Sequence, residues 1–282
     1  MRLRPCSLSF GMTDVPQLPD GVARGFHDRR VHRHLSLRSA DVIGDVHGCF
    51  DELAELITQL GHAELLRSDL PPALAGAKPR LMFVGDIVDR GDQIVETVRL
   101  VERLCRGGHA LMVMGNHDYR FLRWLHGRDV EPQHGLEMSI EQFRRLPHDQ
   151  FQQWRSKLIE FFESLPWAIR FDGGRGVVVH AAWHAELLHD HVSEEHFRRY
   201  ALHGPVTGKK RPDGLPDRID WASKYSGPEF VVFGHQVYPE PYRQQHAIGI
   251  DTGCVFGGAL TGLRYPAMEA ISVPSKRVRY KR

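Results

Sequence analysis

Short apolar runs recur along the chain from Asp41 onward, each closed by glycine or a polar residue. The runs are Val42-Ile43, Leu81 to Val84, Leu111 to Met114, Val177 to Val179, Phe230 to Phe233 and Ala247 to Ile250. Runs this short, bounded by turn residues, suit buried strands. Between some of them the period changes. Phe50 to Leu60 puts Leu53, Leu56, Ile57 and Leu60 on one face; Ile94 to Leu104 does the same with Val95, Val98, Val101 and Leu104. That spacing predicts amphipathic helices. Strand alternating with helix predicts an α/β domain. A second helical block over residues 136–165 carries Trp154, Leu158, Phe161 and Phe162 at helical spacing. It reads as an insertion whose apolar set joins the core, with a cap beside the site as the alternative.

Residues 1–40 show no sustained period and read as a basic, flexible arm, leaving 41–282 as the domain. The arm holds seven Arg against three Asp, and the last seven residues hold five basic side chains. With a net charge of +2 overall, the stretch between them is acidic. The basic ends are expected to be solvated tails; capture of an anionic partner such as nucleic acid is the sharper alternative. The four cysteines show no CxxC spacing, so no disulfide framework is expected and a reducing compartment fits. No run of 18 apolar residues predicts a membrane span. Arg2 and Arg4 precede no apolar signal segment, so the expected location is the cytoplasm. The stretch Gly204 to Lys210 falls short of a P-loop, having one residue too few between its glycines and Lys in place of Ser or Thr.

The residues that close the runs carry the chemistry. After successive runs come Gly44-Asp45-Val46-His47, Gly85-Asp86-Ile87-Val88-Asp89-Arg90-Gly91, Gly115-Asn116-His117-Asp118, His180, Gly234-His235 and Asp251-Thr252-Gly253. Loops at the carboxyl ends of strands are where α/β enzymes collect their functional groups. Asp45, His47, Asp86, Asn116, His180 and His235 form an oxygen and imidazole set without thiolates, which suits Mn²⁺, Fe or Zn²⁺ better than Ca²⁺. Each element alone is weak, since a lone histidine after a strand is usually a core residue; six in succession point to metal binding.

This order of motifs resembles the calcineurin-like metallophosphoesterases, and within them the phosphoprotein-phosphatase branch, over roughly Asp41 to Tyr280. Val237 stands where other metallophosphoesterases carry a second His. Gly48 to Leu53, Ile250 to Gly258, Leu260-Thr261 and Leu263 to Pro266 are similar to the phosphatase domain of bacterial polynucleotide kinase-phosphatases and to bacterial diadenosine tetraphosphate hydrolases, the bis(5'-nucleosyl)-tetraphosphatases. The resemblance implies a central β-sandwich flanked by helices, in α-β-β-α layers, with two divalent metal ions at one edge, manganese foremost. Asp45 and His47 would hold the first metal, Asn116, His180 and His235 the second, and Asp86 would bridge them. A water shared by the ions would attack phosphorus. His117, oriented by Asp89, would protonate the departing oxygen. Arg90 would clamp the substrate phosphate, with Asn116 beside it and Arg218 as a second arginine.

The family departs here in Ala181-Ala182-Trp183 and in Gln236-Val237, which touch the rim of the site. Trp183 could stack on a nucleobase, although a packed tryptophan is the commoner outcome. The expected function is hydrolysis of a phosphomonoester or a dinucleoside polyphosphate. A serine/threonine protein phosphatase, action on a nucleic-acid end, and a catalytically silent binding module are the alternatives.

Overall fold

The computed structural model describes residues 31–74, 81–189, 191–212 and 214–281. Among these residues, strands β1 to β6 span Val31–His34, Ala40–Ile43, Leu81–Phe83, Ala110–Met112, Ala168–Phe171 and Gly176–Val179. Strands β7 to β13 span Val206–Lys210, Pro216–Arg218, Phe230–Phe233, Tyr242–Arg243, Ala247–Gly249, Ala259–Tyr265 and Glu269–Pro274. Helices α1 to α6 span Phe50–Gln59, Ile94–Arg106, Asn116–Leu125, Leu136–Arg144, His148–Ser164 and Glu194–His203.

The strands form two principal sheets, ordered β1-β5-β6-β9-β11-β10 and β13-β12-β2-β3-β4, with β7 and β8 as a separate hairpin. Strand side chains alternate between faces. One set, including Val42, Met82, Val84, Ile169, Phe171, Val178, Val232, Ile248 and Leu263, comes from both sheets and forms the layer between them. The opposite set from the five-stranded sheet, including Ile43, Phe83 and Met112, joins the cluster that contains Leu53, Leu56, Val98 and Val101 of α1 and α2. On the six-stranded sheet Trp221 packs 4.9 Å from Phe233. The helical block of residues 136–165 is two helices, broken before Pro147, because proline cannot donate to a continuing helix. Both pack on α3 through Phe121, Phe143 and Phe162.

Parallel pairing decides where the loops meet. β2, β3 and β4 run parallel with Ile43 beside Phe83 and Phe83 beside Met112. β6, β9 and β11 run parallel with Val178 beside Val232 and Phe233 beside Gly249. All six strands therefore end in step, and the His180 imidazole of one sheet donates to the Val84 carbonyl of the other at 2.9 Å.

Both basic ends depart from expectation. Residues 31–40, assigned above to the arm, belong to the folded body: β1 pairs with β5, and Val31, Leu37 and Ala40 are buried. Residues 1–30 lie outside the described residues. Nor are residues 276–281 a solvated tail. Lys276 lies 3.6 Å from Glu55, Arg277 and Arg279 pair with Asp92, and Arg279 pairs with Glu52 where both side chains are excluded from water. The acidic charge they meet sits on α1 and on the loop after Gly91. Among the described residues no helix is long and apolar enough to cross a membrane.

Candidate metal centre

Asp86 follows β3 and sits at the centre of the site. Its Oδ1 accepts from the His117 backbone N–H at 2.9 Å. Its Oδ2 lies 3.7 Å from His47 Nε2 and 3.4 Å from His180 Nε2. Two groups of converging ligand atoms thus share Asp86: His47, Asp86 and His117 on one side, Asp86, His180 and His235 on the other. Asn116 Oδ1 and His235 Nδ1 approach His180 Nε2 at 2.9 and 3.1 Å.

The imidazoles are aimed from behind. His47 Nδ1–H donates to the Val88 carbonyl at 2.7 Å and His180 Nδ1–H to Val84, so each presents a bare Nε2 lone pair to the centre. Burial, followed by the Arg90 charge, holds His47 and His117 well below the usual imidazole range. Burial likewise lowers His180 to about 3, and burial followed by His180 lowers His235. The imidazoles are neutral, the form that ligates metals. The carboxyls shift the other way. Burial, then Asp251 and Asp86, raises Asp45 well above the carboxylate range; burial, then Asp118, raises Asp86.

Acceptors therefore converge without enough donors to satisfy them, and His235 Nε2 is buried without a hydrogen-bond partner. Such a group is costly unless a cation is present. The oxygen and imidazole donors fit divalent transition metals, and carboxylates beside several neutral imidazoles suit a cation better than a proton.

The backbone is bent to make this possible. Left-handed φ values occur at His47, Asp86, Asp89, Arg90 and His235. Such strain at non-glycine residues concentrates at functional sites. Glycines supply the room: a Cβ on Gly115 would lie 2.2 Å from Asp86 Oδ1, and one on Gly234 1.9 Å from Asp45 Oδ1.

Most of the expected residues meet here. Asp45 belongs to neither triad; its oxygens accept from the His235 backbone N–H at 3.1 and 3.2 Å. Arg90 reaches His47 Nε2 and His117 Nε2, each at 2.7 Å, from between the two rings. His117 Nδ1–H donates to Asp89 Oδ2 at 2.6 Å. Arg218 lies further out, its guanidinium donating to the His203 carbonyl while its charge reaches His180 and His235. Trp183 is fully buried against Phe197 and offers no face to a base.

Three residues went unassigned in the sequence reading. Asp118 accepts from the N–H groups of Gly115, Asp86 and Ile87, joining the loops after β3 and β4. The Ser139 hydroxyl donates to Asp89 Oδ1 at 2.5 Å, and Asp251 raises Asp45. Asp251 closes an apolar run as Asp45 and Asp86 do, which was its available signal; Asp118 and Ser139 follow no such pattern.

A pair of imidazole-rich triads sharing one carboxylate, at the edge of a β-sandwich, defines a metal-dependent phosphoesterase. The chain belongs to the calcineurin-like phosphoesterase family, whose pattern it matches over residues 40–239, and is a hydrolase. It is 40% identical over 237 residues to the asymmetrical bis(5'-nucleosyl)-tetraphosphatase PrpE of Geobacillus sp. (strain WCH70), covering 83% of this chain and 94% of that protein. The protein of the same name from Bacillus subtilis (strain 168) is 37% identical over 235 residues, with 83% and 94% covered. A solved structure described as a candidate diadenosine tetraphosphatase superposes with a TM-score of 0.62 at 26% identity, covering 88% of this chain and 98% of that one.

Proposed function

We propose that the chain hydrolyses dinucleoside polyphosphates with two divalent metal ions, both Mn²⁺. Asp45, His47 and Asp86 would hold one ion, and Asp86, Asn116, His180 and His235 the other. The observation that carries this reading is the single Asp86 oxygen facing His47 on one side and His180 on the other. The relatives named as asymmetrical tetraphosphatases support the substrate class.

When bound, the metals supply Lewis acidity that activates a water and neutralises charge on the phosphate. The protein's own groups do the rest. The Val84 and Val88 carbonyls fix the two imidazole ligands in one tautomer. Arg90 binds the phosphate: its planar fork exchanges two imidazole acceptors for two phosphate oxygens. That exchange frees His117 Nε2. Asp89, on the far side of the ring, stabilises the imidazolium formed when the freed Nε2 takes up a proton from water, and that same proton passes to the departing oxygen.

The test is a panel of diadenosine tetraphosphate, a phosphopeptide and a 3′-phosphorylated oligonucleotide, run with Mn²⁺ and with chelator, beside a metal count on wild type and Asp86→Ala. Metal-dependent turnover of the dinucleotide and loss of bound metal in the variant are expected. Preference for either other substrate, or full metal content in the variant, refutes the reading.

A further inference from the structure

We infer that Tyr280, carried on the segment after β13, is a positioning residue for Arg90; the inference rests on the proposed role of Arg90 as phosphate clamp. The Arg90 guanidinium carbon lies 5.9 Å from the Tyr280 ring centroid and 5.3 Å from that of Phe256. The two rings stand 6.3 Å apart at 62° to one another. Together they form an aromatic corner against the guanidinium. A cation so placed is attracted by the ring faces.

The rest of Arg90 is held by the turn before α4. Its backbone N–H donates to the Gly135 carbonyl at 3.2 Å and its Nε to the His134 carbonyl at 3.3 Å. Its left-handed backbone (φ 68°) aims the side chain at the centre. The guanidinium itself, which must leave the imidazoles to grip a phosphate, lies against both rings. Rings restrain its plane without competing for its N–H donors.

The segment bearing Tyr280 is anchored far more firmly than a surface end requires. The N–H groups of Arg279 and Tyr280 both donate to the Val255 carbonyl, at 3.0 and 3.1 Å, immediately before Phe256. Arg279 grips Glu52 with two nitrogens, at 2.8 and 2.9 Å, and reaches Asp92 at 2.8 Å. Asp92 is two residues from Arg90, so the anchor and the clamp share one loop. Residues 275–280 thus act as a strap whose last ring bears on the phosphate-binding arginine.

The experiment is a double-mutant cycle on the full chain with Mn²⁺, reading kcat/KM for p-nitrophenyl phosphate and inhibition by inorganic phosphate. Tyr280→Leu should lower kcat/KM and weaken phosphate inhibition together, each by about 3- to 30-fold, the range a cation–ring contact supplies. Tyr280→Phe, which keeps the ring, should stay within about twofold of wild type. In an Arg90→Ala background Tyr280→Leu should have no further effect. Equal losses in both backgrounds, or a Phe variant as poor as Leu, overturns the inference. Should Tyr280→Leu melt below the assay temperature, Tyr280→Met, which also lacks the ring, replaces it in the same cycle with the same outcomes. A wild type that turns over neither p-nitrophenyl phosphate nor diadenosine tetraphosphate overturns the proposed function itself, and the strap with it.

Discussion

Replacing Arg279 by Leu should destabilise the protein by about 2–4 kcal/mol. Glu52 and Arg279 form an ion pair with side chains 0% and 1% exposed. Burial pushes the Glu52 carboxyl up, yet the Arg279 hydrogen bonds and the Lys276 N–H outweigh it and hold Glu52 below the usual carboxylate range. Breaking such a pair by removing one partner costs roughly 3–5 kcal/mol, because the other charge stays buried. Part of that is recovered here. The Lys276 N–H remains on Glu52 Oε1 at 2.8 Å, and Glu52 lies in the first turn of α1, where the helix end is positive. Together these offset about 1 kcal/mol. At roughly 2–4 °C per kcal/mol for a chain of this size, the melting temperature should fall by about 5–15 °C. Leucine at both Glu52 and Arg279 removes both charges and should recover most of the loss. Thermal unfolding followed by circular dichroism measures each variant. A fall of under about 2 °C for the single variant, against the scale above, refutes the reasoning, as does a double variant no more stable than the single one.

His117→Ala should slow esters with poor leaving groups about 10²- to 10⁴-fold while sparing p-nitrophenyl phosphate, whose leaving group needs no proton; equal losses on both rule out the acid role. Deleting residues 1–40 removes β1 and buried Val31 and Leu37, and should cost about 3 kcal/mol or more of stability; an unchanged urea midpoint contradicts this. Asp172 is lowered to about 2, first by Arg175, with Tyr265 and Arg38 also bonded to it. A depressed carboxyl stabilises above its unfolded value and ceases to do so as pH falls toward the folded one. Arg38 and Arg175 are 64% and 71% exposed, so screening reduces the effect. Asp172→Asn should therefore cost about 1 kcal/mol at pH 7, an effect that shrinks as pH falls through the acid range and is gone only below pH about 2; a cost undiminished in acid refutes the charge account.

The site was legible because its residues sit where a local pattern ends. Each apolar run is read without knowledge of the others, and the residue after it is a candidate at once. Asp86, His180 and His235 were found in that way, and the structure brings them together. The strands that flank them are harder to read. β12 interrupts its apolar run with Thr261 and Gly262, and β1 reads Val-His-Arg-His, too polar to mark a strand. Burial of Thr261 is made tolerable by hydrogen bonds with Thr252 and Ser272, contacts that exist only after the fold has formed. The basic segment at 276–281 was misread for the same reason. Its charges look solvated until Glu52 and Asp92, nearly two hundred residues or more away, are brought beside them.

The pairing of β12 with β2 sets Gly262 beside Ile43. During synthesis the sheet that presents Asp45 must therefore wait, with one long side of β2 bare, until most of the polypeptide has left the ribosome. An exposed strand edge of that kind invites wrong partners, and a contact spanning so much sequence closes slowly. A nascent chain halted before β12 would hold the residues of both metal triads and still lack the strand that completes their support. Folding of this enzyme should accordingly be a late, whole-chain event, and the time spent with β2 uncovered is when it is most exposed to aggregation or to a chaperone.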